Sequence, residues 1–224
     1  MIKKRLSRYD WLLLIANLIP VYGVWFLGWH PTEAFIVYAM ETMIAGAFTV
    51  LKLLVTTIIR KKDEWPANGA VTQQSGWFFI FFFIVHYGFF TLVQTTIFSQ
   101  SAHLNPAGSG MFYFVIHWQD FLTKNIAYSL LAFIFSYTIG SFIPFIQKGD
   151  YKTTSMLLIM FQPYGRIFIQ QFTVILGSMF LTLGIGKAFI LIFVLVKLFF
   201  ELLINYEGML KKAFNKMKAE SGKE

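Results

Sequence analysis

The last long apolar run of the chain, residues 187–206, reads KAFILIFVLVKLFFELLINY. It has the length of about 20 residues that a helix needs to cross a bilayer. Lys197 and Glu201 lie well inside the run, four residues apart, so they share one face of a helix and can pair. A charge at bilayer depth costs roughly 2.5–3.5 kcal/mol, and such a face is rarely exposed to lipid. We therefore expect the other helices to pack around this face.

The composition places the whole chain in the membrane class. Hydrophobic residues make up 57% of the chain and charged residues only 13%, whereas soluble domains carry about 25% charged residues. The mean hydropathy of +0.61 agrees with this assignment. The chain has no cysteine, which excludes disulfides, thiol nucleophiles and cysteine-ligated metal centres. One helical bundle accounts for the full length, so we predict a single transmembrane domain over residues 1–224.

The apolar pattern predicts an all-α, polytopic bundle of six transmembrane helices. Two further apolar segments, residues 111–118 and 155–161, are too short to cross a bilayer as helices, and we interpret them as interfacial or re-entrant. The predicted spans are residues 11–27, 33–59, 76–98, 122–146, 166–183 and 187–206.

The distribution of basic residues predicts the orientation. When the loops are numbered alternately from the N-terminus, 15 of the 19 Lys and Arg residues fall in one set and 2 in the other. The loops that carry most of the Lys and Arg residues are cytoplasmic by the positive-inside rule. Both termini belong to this set, so we expect both in the cytoplasm. The same residues attract anionic lipids of the cytoplasmic face. No basic–aromatic motif accompanies the charge, which argues against a nucleic-acid partner.

The depth of the polar residues, counted at about 1.5 Å per residue from the helix ends, predicts two polar layers. Glu41, His86 and Lys197 fall near the midplane, and Glu201 pairs with Lys197 one turn away, which together form a predicted intramembrane polar cluster. A second layer is predicted nearer the cytoplasm and comprises Asn17, Lys52, Gln94, Arg166 and Gln171.

These polar residues have structural as well as functional interpretations. Glu41, Lys197 and Glu201 form either a salt-bridge group that fixes helix packing or a site for an ion, a proton or a ligand. A single histidine such as His86 is more often a hydrogen-bonded packing residue than a metal ligand. Lys52 lies close enough to the helix end to extend its ammonium to the surface. Two carboxyl groups against one lysine leave an excess negative charge, unless one carboxyl is protonated or His86 is charged.

Three classes of function remain open. The chain contains no H-E-x-x-H, G-x-S-x-G, P-loop or G-x-G-x-x-G pattern, and no catalytic residue is predicted. The leading hypothesis is a non-enzymatic accessory or scaffold protein that binds another membrane protein or a second copy of itself. The second is a small transporter or channel that uses the polar cluster, and the third is an intramembrane, metal-dependent enzyme.

Several short stretches carry a resemblance to a family. They are Asn17–Gly23, Tyr38–Glu41 running to Gly46, His86–Gly88, Pro163–Ile167 through Gly177, and Lys197-x-x-x-Glu201. They resemble an uncharacterised bacterial family of six-helix integral membrane proteins, classed only as a domain of unknown function. The resemblance implies a bacterial inner-membrane location.

The resemblance also concerns metal binding. It implies that relatives place histidines where this chain has Gln94, Gln171 and Asn205, around a polar, metal-binding centre. This chain therefore has only His86 of the histidines that the resemblance implies. Glutamine still forms hydrogen bonds but is not a strong metal ligand. We therefore expect neither a metal nor another cofactor in this chain.

Overall fold

A computed structural model describes residues 6–67, 70–106, 108–165, 167–169, 176, 180 and 183–221. Within this part of the chain the fold is helical, with one β-hairpin. The longer helices are α1 (Arg8–Phe26), α2 (Pro31–Arg60), α3 (Gly76–Ser101), α5 (Lys124–Tyr137), α9 (Gly186–Leu198) and α10 (Tyr206–Ser221). The shorter helices are α4 (Tyr113–Ile116), α6 (Ile143–Gln147), α7 (Asp150–Thr153) and α8 (Met156–Phe161), with a 3₁₀ turn at Trp118–Phe121 and π turns at Thr138–Phe142 and Phe199–Leu203.

Among the residues that the structure describes, four helices are long and apolar enough to cross a membrane. They are Arg8–Phe26, Pro31–Arg60, Gly76–Gln100 and the continuous helical segment Lys124–Gln147. Large hydrophobic side chains such as Phe81 and Leu131 are exposed on their outer faces, which is typical of helices in contact with lipid. The predicted span 166–183 lies mostly outside the described residues.

Local sequence explains where the first two helices begin. The Ser7 hydroxyl accepts a hydrogen bond from the Asp10 amide, and the Asp10 carboxylate accepts one from the Ser7 amide, which together form a capping box. Pro31 occupies the first turn of α2, where its missing N–H costs no hydrogen bond. Both helix starts therefore follow from ordinary capping chemistry.

The segment between α2 and α3 is a β-hairpin, which the all-α prediction does not include. Strands β1 (Lys62–Ala67) and β2 (Ala70–Ser75) pair antiparallel, with Trp65 opposite Thr72. Trp65 packs edge-on against Phe78 and Phe82 of α3. The sequence signal that was overlooked is Asn68-Gly69, a dipeptide typical of hairpin turns, between two strand-length runs.

In the described part of the chain, the buried side chains form two hydrophobic cores. The first core joins α1, the first half of α2, α5 and α9, with Phe35, Tyr38 and Phe193 at its centre. The second core joins the second half of α2, the first half of α3, α6 and α8, with Phe79 and Phe83 at its centre. Of the two predicted interfacial or re-entrant segments, one contains α4 and the other contains α8, whose Met156 and Met160 are fully buried in the second core.

The C-terminal segment differs from a straight extension of the last predicted span. Helical structure is interrupted after Leu203, where Ile204 adopts an extended conformation with ψ of 124°, and α10 then begins at Tyr206. Phe214 of α10 is buried in the second core, and Lys218 pairs with Glu64 of β1 at 2.6 Å. The helix therefore packs against the hairpin and α8.

Candidate buried ion site and adjoining cavity

Lys197 of α9 lies at the centre of a buried group of polar side chains from three helices. Its ammonium donates to the carboxylate of Glu41 on α2 and to the side-chain oxygen of Asn17 on α1. The Glu201 carboxylate lies 3.8 Å from the same ammonium and accepts a hydrogen bond of 3.3 Å from the Asn17 amide. Glu41, Lys197, Glu201 and Asn17 are called the Lys197 cluster below.

Aromatic rings and backbone carbonyls hold the members of the Lys197 cluster in place. The ammonium lies 4.9 Å from the centre of the Tyr38 ring and 5.2 Å from that of Phe133, within the range of cation–π attraction. The Tyr38 hydroxyl donates to the Asn17 backbone oxygen at 2.7 Å, and the Asn17 amide donates to the Leu13 carbonyl at 2.8 Å. These contacts orient Asn17, so that its oxygen faces Lys197.

The Lys197–Glu41 pair is shielded from solvent. The exposed fractions are 3% for Lys197 and 2% for Glu41. Removing one partner of such a pair leaves an uncompensated buried charge, which is far more costly than losing an exposed ion pair. The pair is thus able to fix α9 against α2.

Glu201 lies on a π turn, Phe199–Leu203, that directly follows α9. Such turns occur frequently at functional sites, because the extra residue redirects side chains and loosens the helical hydrogen bonding. A second π turn, Thr138–Phe142, follows α5. Gly140 and Ser141 of that turn and Phe200 and Glu201 of the first turn line the same cavity.

This cavity has a volume of about 850 Å³ and lies beside the beginning of α1 and the middle of α2. Its lining extends from the buried Glu201 to the exposed side chains of Arg8, Lys148 and Lys211. It therefore connects the surface of the protein with one member of the Lys197 cluster.

The lining of the cavity is both polar and aromatic. The Lys52 ammonium donates to the Ser141 hydroxyl at 2.7 Å and lies 5.4 Å from the centre of the Phe145 ring. Phe48 also lines the cavity and stacks on Tyr137, with ring centres 5.5 Å apart. Lys52, predicted for the second polar layer, thus lies in the cavity wall.

His86 lies elsewhere, although depth counting groups it with Glu41 and Lys197. Its Nδ1 forms a 2.7 Å hydrogen bond with the Tyr164 hydroxyl, and its ring stacks on Phe82. Phe82 and Tyr164 both pack against the second core, whereas the Lys197 cluster lies among residues of the first core. Residues of different helices can lie at the same depth and still face different parts of the bundle, which explains why His86 is separate from Glu41 and Lys197.

The remaining members of the predicted second layer separate. Asn17 belongs to the Lys197 cluster, one layer from where depth counting places it. Gln94 is buried on α3, and neither its amide nitrogen nor its oxygen has a hydrogen-bond partner among the described residues. Arg166 and Gln171 lie outside the described residues.

Sequence reasoning overlooked Tyr38 as a contact of the buried lysine. Its position three residues before Glu41, nearly one helical turn away, was the available signal. Within the described part of the chain, no three His, Asp or Glu side chains are grouped so that they could hold a metal ion.

Comparison with known proteins supplies a family. No curated protein and no solved structure matches the chain. Residues 2–220 match the model of a family described as a family of unknown function, DUF6498. The match covers nearly the whole chain, including every member of the Lys197 cluster and every residue that lines the cavity. The chain therefore belongs to the DUF6498 family of unknown function.

Proposed function

We propose that this protein is a small transporter or channel of the bacterial inner membrane that moves protons or small cations through the Lys197 cluster. The proposal includes six spans, with both termini in the cytoplasm and the basic residues near the cavity facing anionic lipid headgroups. The four apolar helices support a membrane protein, and the 15-to-2 distribution of Lys and Arg supports the orientation.

The position of Glu201 is the observation that carries the proposal. On one side its carboxylate contacts Lys197 and Asn17, and on the other it lines the cavity. A carboxyl group placed between a solvent-connected cavity and a buried charge pair is able to exchange a proton or bind a cation from the cavity. Ionisable groups within membrane spans mark such pathways in transport proteins.

The contacts inside the cluster define a path for that exchange. Glu201 is linked to Lys197 directly and through Asn17, and Lys197 is linked to Glu41. A change in the charge of Glu201 therefore alters the electrostatic attraction that holds Lys197 against Glu41. Because the two pairs share one ammonium, the cluster couples occupancy of the cavity to the contact between α9 and α2.

Flux measurements in proteoliposomes test the proposal. Purified protein is reconstituted with a pH-sensitive dye inside, a membrane potential is imposed, and uptake of protons, Na⁺ and K⁺ is followed. We expect flux above that of empty liposomes, and a reduction of at least about tenfold in Glu201→Gln. The matched control is Glu220→Gln, since Glu220 is an exposed carboxylate of α10 outside the cavity. Equal flux in protein-containing and empty liposomes for all three ions would contradict the proposal.

A scaffold is the second candidate, favoured by the buried, paired geometry of Lys197 and Glu41. In that case the pair fixes helix packing, and the function lies in binding a membrane-protein partner or a second copy of the chain. Two results together would favour the scaffold over the transporter. The folded wild-type protein would show no flux, and Glu41→Gln would change only the stability of the protein.

A further inference from the structure

From Tyr87 to its C-terminal end, α3 carries a stripe of buried polar side chains that do not line the cavity. Tyr87, Thr91, Thr95 and Ser99 recur four residues apart, and Gln94 lies three residues after Thr91, so they share one face of the helix. All five are buried. A polar face buried at this depth requires hydrogen-bond partners, since lipid and apolar side chains supply none.

Several atoms of the stripe and of the loop beyond it lack such partners. The Thr91 hydroxyl, both amide atoms of Gln94 and the side-chain oxygen of Asn105 are buried without a hydrogen bond among the described residues. Gln94 is only 2% exposed. Asn105 donates to the Ser99 hydroxyl at 3.0 Å, which links the loop to the stripe. Clustered buried polar groups without protein partners are the usual binding sites of internal water.

At Tyr87 the stripe contacts α2 one residue along the chain from Glu41. The Tyr87 hydroxyl donates to the Thr42 backbone oxygen at 2.8 Å, and Thr42 follows Glu41 directly. The outer end, at Ser99 and Asn105, lies at the end of α3 that is farthest from the hairpin and the cavity. The stripe thus extends from the neighbourhood of Glu41 toward the side of the protein opposite the cavity.

We propose that this stripe is a water-filled half-path that opens opposite the cavity and carries protons or small cations between Glu41 and that side. The role of the stripe in transport rests on the proposed function. Whether water fills the stripe is tested separately. Glu201 would then serve the cavity side and Gln94 the opposite side, with the Lys197 cluster between them. The ligand class is water together with the proton or small monovalent cation that it solvates.

Cysteine accessibility tests the proposal, and the chain suits this method because it contains no cysteine. Gln94→Cys and Thr91→Cys are introduced singly, and sealed vesicles of known orientation are treated from either side with silver ions as a small cationic probe. Thiols that remain unreacted are then counted with a polymer-linked maleimide after denaturation. Thiols react as thiolates and therefore in contact with water. We expect modification from the side opposite the cavity, at least about tenfold faster than in the controls.

Two controls on the same helix separate hydration from lipid exposure and from burial alone. Phe89→Cys lies on the outer face, where Phe89 is 58% exposed, and Phe83→Cys lies in the second core. Thr91→Cys is close in size to the native residue, so it keeps the test informative where Gln94→Cys fails to fold. Rates no higher than those of the controls, or modification only from the cavity side, would overturn the half-path. Modification without any ion flux would instead retain the half-path and contradict the transporter.

Discussion

The Lys197 ammonium donates to the Glu41 carboxylate, although 156 positions separate the two residues along the chain. This contact joins α9 to α2 inside the first core, and Asn17 adds α1 to the same group. One ammonium thus links three helices in a part of the molecule where each charge requires a partner.

Replacing Lys197 alone tests how strongly this link contributes to folding. Lys197→Met leaves the Glu41 carboxylate buried without its ammonium, and we expect a loss of about 3–5 kcal/mol in the free energy of unfolding. The double variant Lys197→Met/Glu41→Gln also removes the charge of Glu41 and should recover part of that loss, since Glu201 alone is left without its ammonium. Denaturant unfolding in mixed micelles measures both effects.

Lys216→Met is the matched control for the lysine. Lys216 is exposed on α10 and pairs with Glu220 at 3.8 Å, so its removal should cost no more than about 1 kcal/mol. Equal destabilisation by Lys197→Met and Lys216→Met would contradict the structural importance of the buried pair.

Asp63 is expected to hold the hairpin against α8. Its carboxylate accepts a 2.7 Å hydrogen bond from Arg60 and another from the backbone amide of Met156 at the start of α8. Asp63→Asn removes the charge from both bonds, and we expect a loss of about 1.5–3 kcal/mol, the usual contribution of a hydrogen bond to a charged group. Hydrogen exchange of the β1 and α8 amides should increase together.

The neighbouring carboxylate offers a comparison for Asp63. Glu64 is more exposed and pairs with Lys218 at 2.6 Å, so Glu64→Gln should cost only about 0–1 kcal/mol. Faster hydrogen exchange in Glu64→Gln than in Asp63→Asn would contradict the prediction that Asp63 holds the hairpin against α8.

Two helical glycines should respond oppositely to alanine. A Cβ at Gly140 would lie 2.3 Å from the Tyr9 ring, so Gly140→Ala must displace α1 or the π turn, and overpacking of this kind costs about 1–3 kcal/mol. Gly88 has no described atom within 4 Å of its Cβ position, so Gly88→Ala should stabilise α3 by about 0.5–1 kcal/mol. Thermal unfolding of the two variants in detergent should shift in opposite directions, and a common direction would contradict the packing described for Gly140.

Phe214 is expected to decide whether α10 stays packed against the body of the protein. It is buried in the second core, whereas Met217 on the same helix is exposed. Phe214→Ala should release α10 from the body of the protein and let it unfold locally, so that trypsin cleaves after Lys211 and Lys212 at least about tenfold faster. Met217→Ala should leave the cleavage rate unchanged, and similar rates in both variants would contradict the packing of α10.

The sequence allowed the charged members of the Lys197 cluster to be grouped, but not the arrangement of the polar residues around them. Glu41, Lys197 and Glu201 could be grouped because charges in apolar helices need partners and because depth follows from the rise per residue. His86 could not be placed in the same way, since its contact with Tyr164 depends on the rotation of α3. The role of Asn17 depends on the packing of α1 against α9, and such packing between distant segments has no local signal.

The fold shows the same division between local and non-local information. Long apolar runs predicted the four described spans to within a few residues, because their length is dictated by the bilayer. The interruption at Ile204, the docking of Phe214 and the cavity depend on contacts between segments far apart in the chain.

The π turn at Thr138–Phe142 changes the phase of an otherwise continuous helix. Ile126, Leu130, Phe133 and Tyr137 face the first core, and an unbroken α-helix would present position 140 or 141 and then position 144 on that face. The inserted residue moves the buried position to Phe145, which belongs to the second core. A deletion of one residue in this turn would therefore restore an unbroken α-helix with Phe145 still on the buried face, and the change would fall on the cavity wall that Gly140 and Ser141 form.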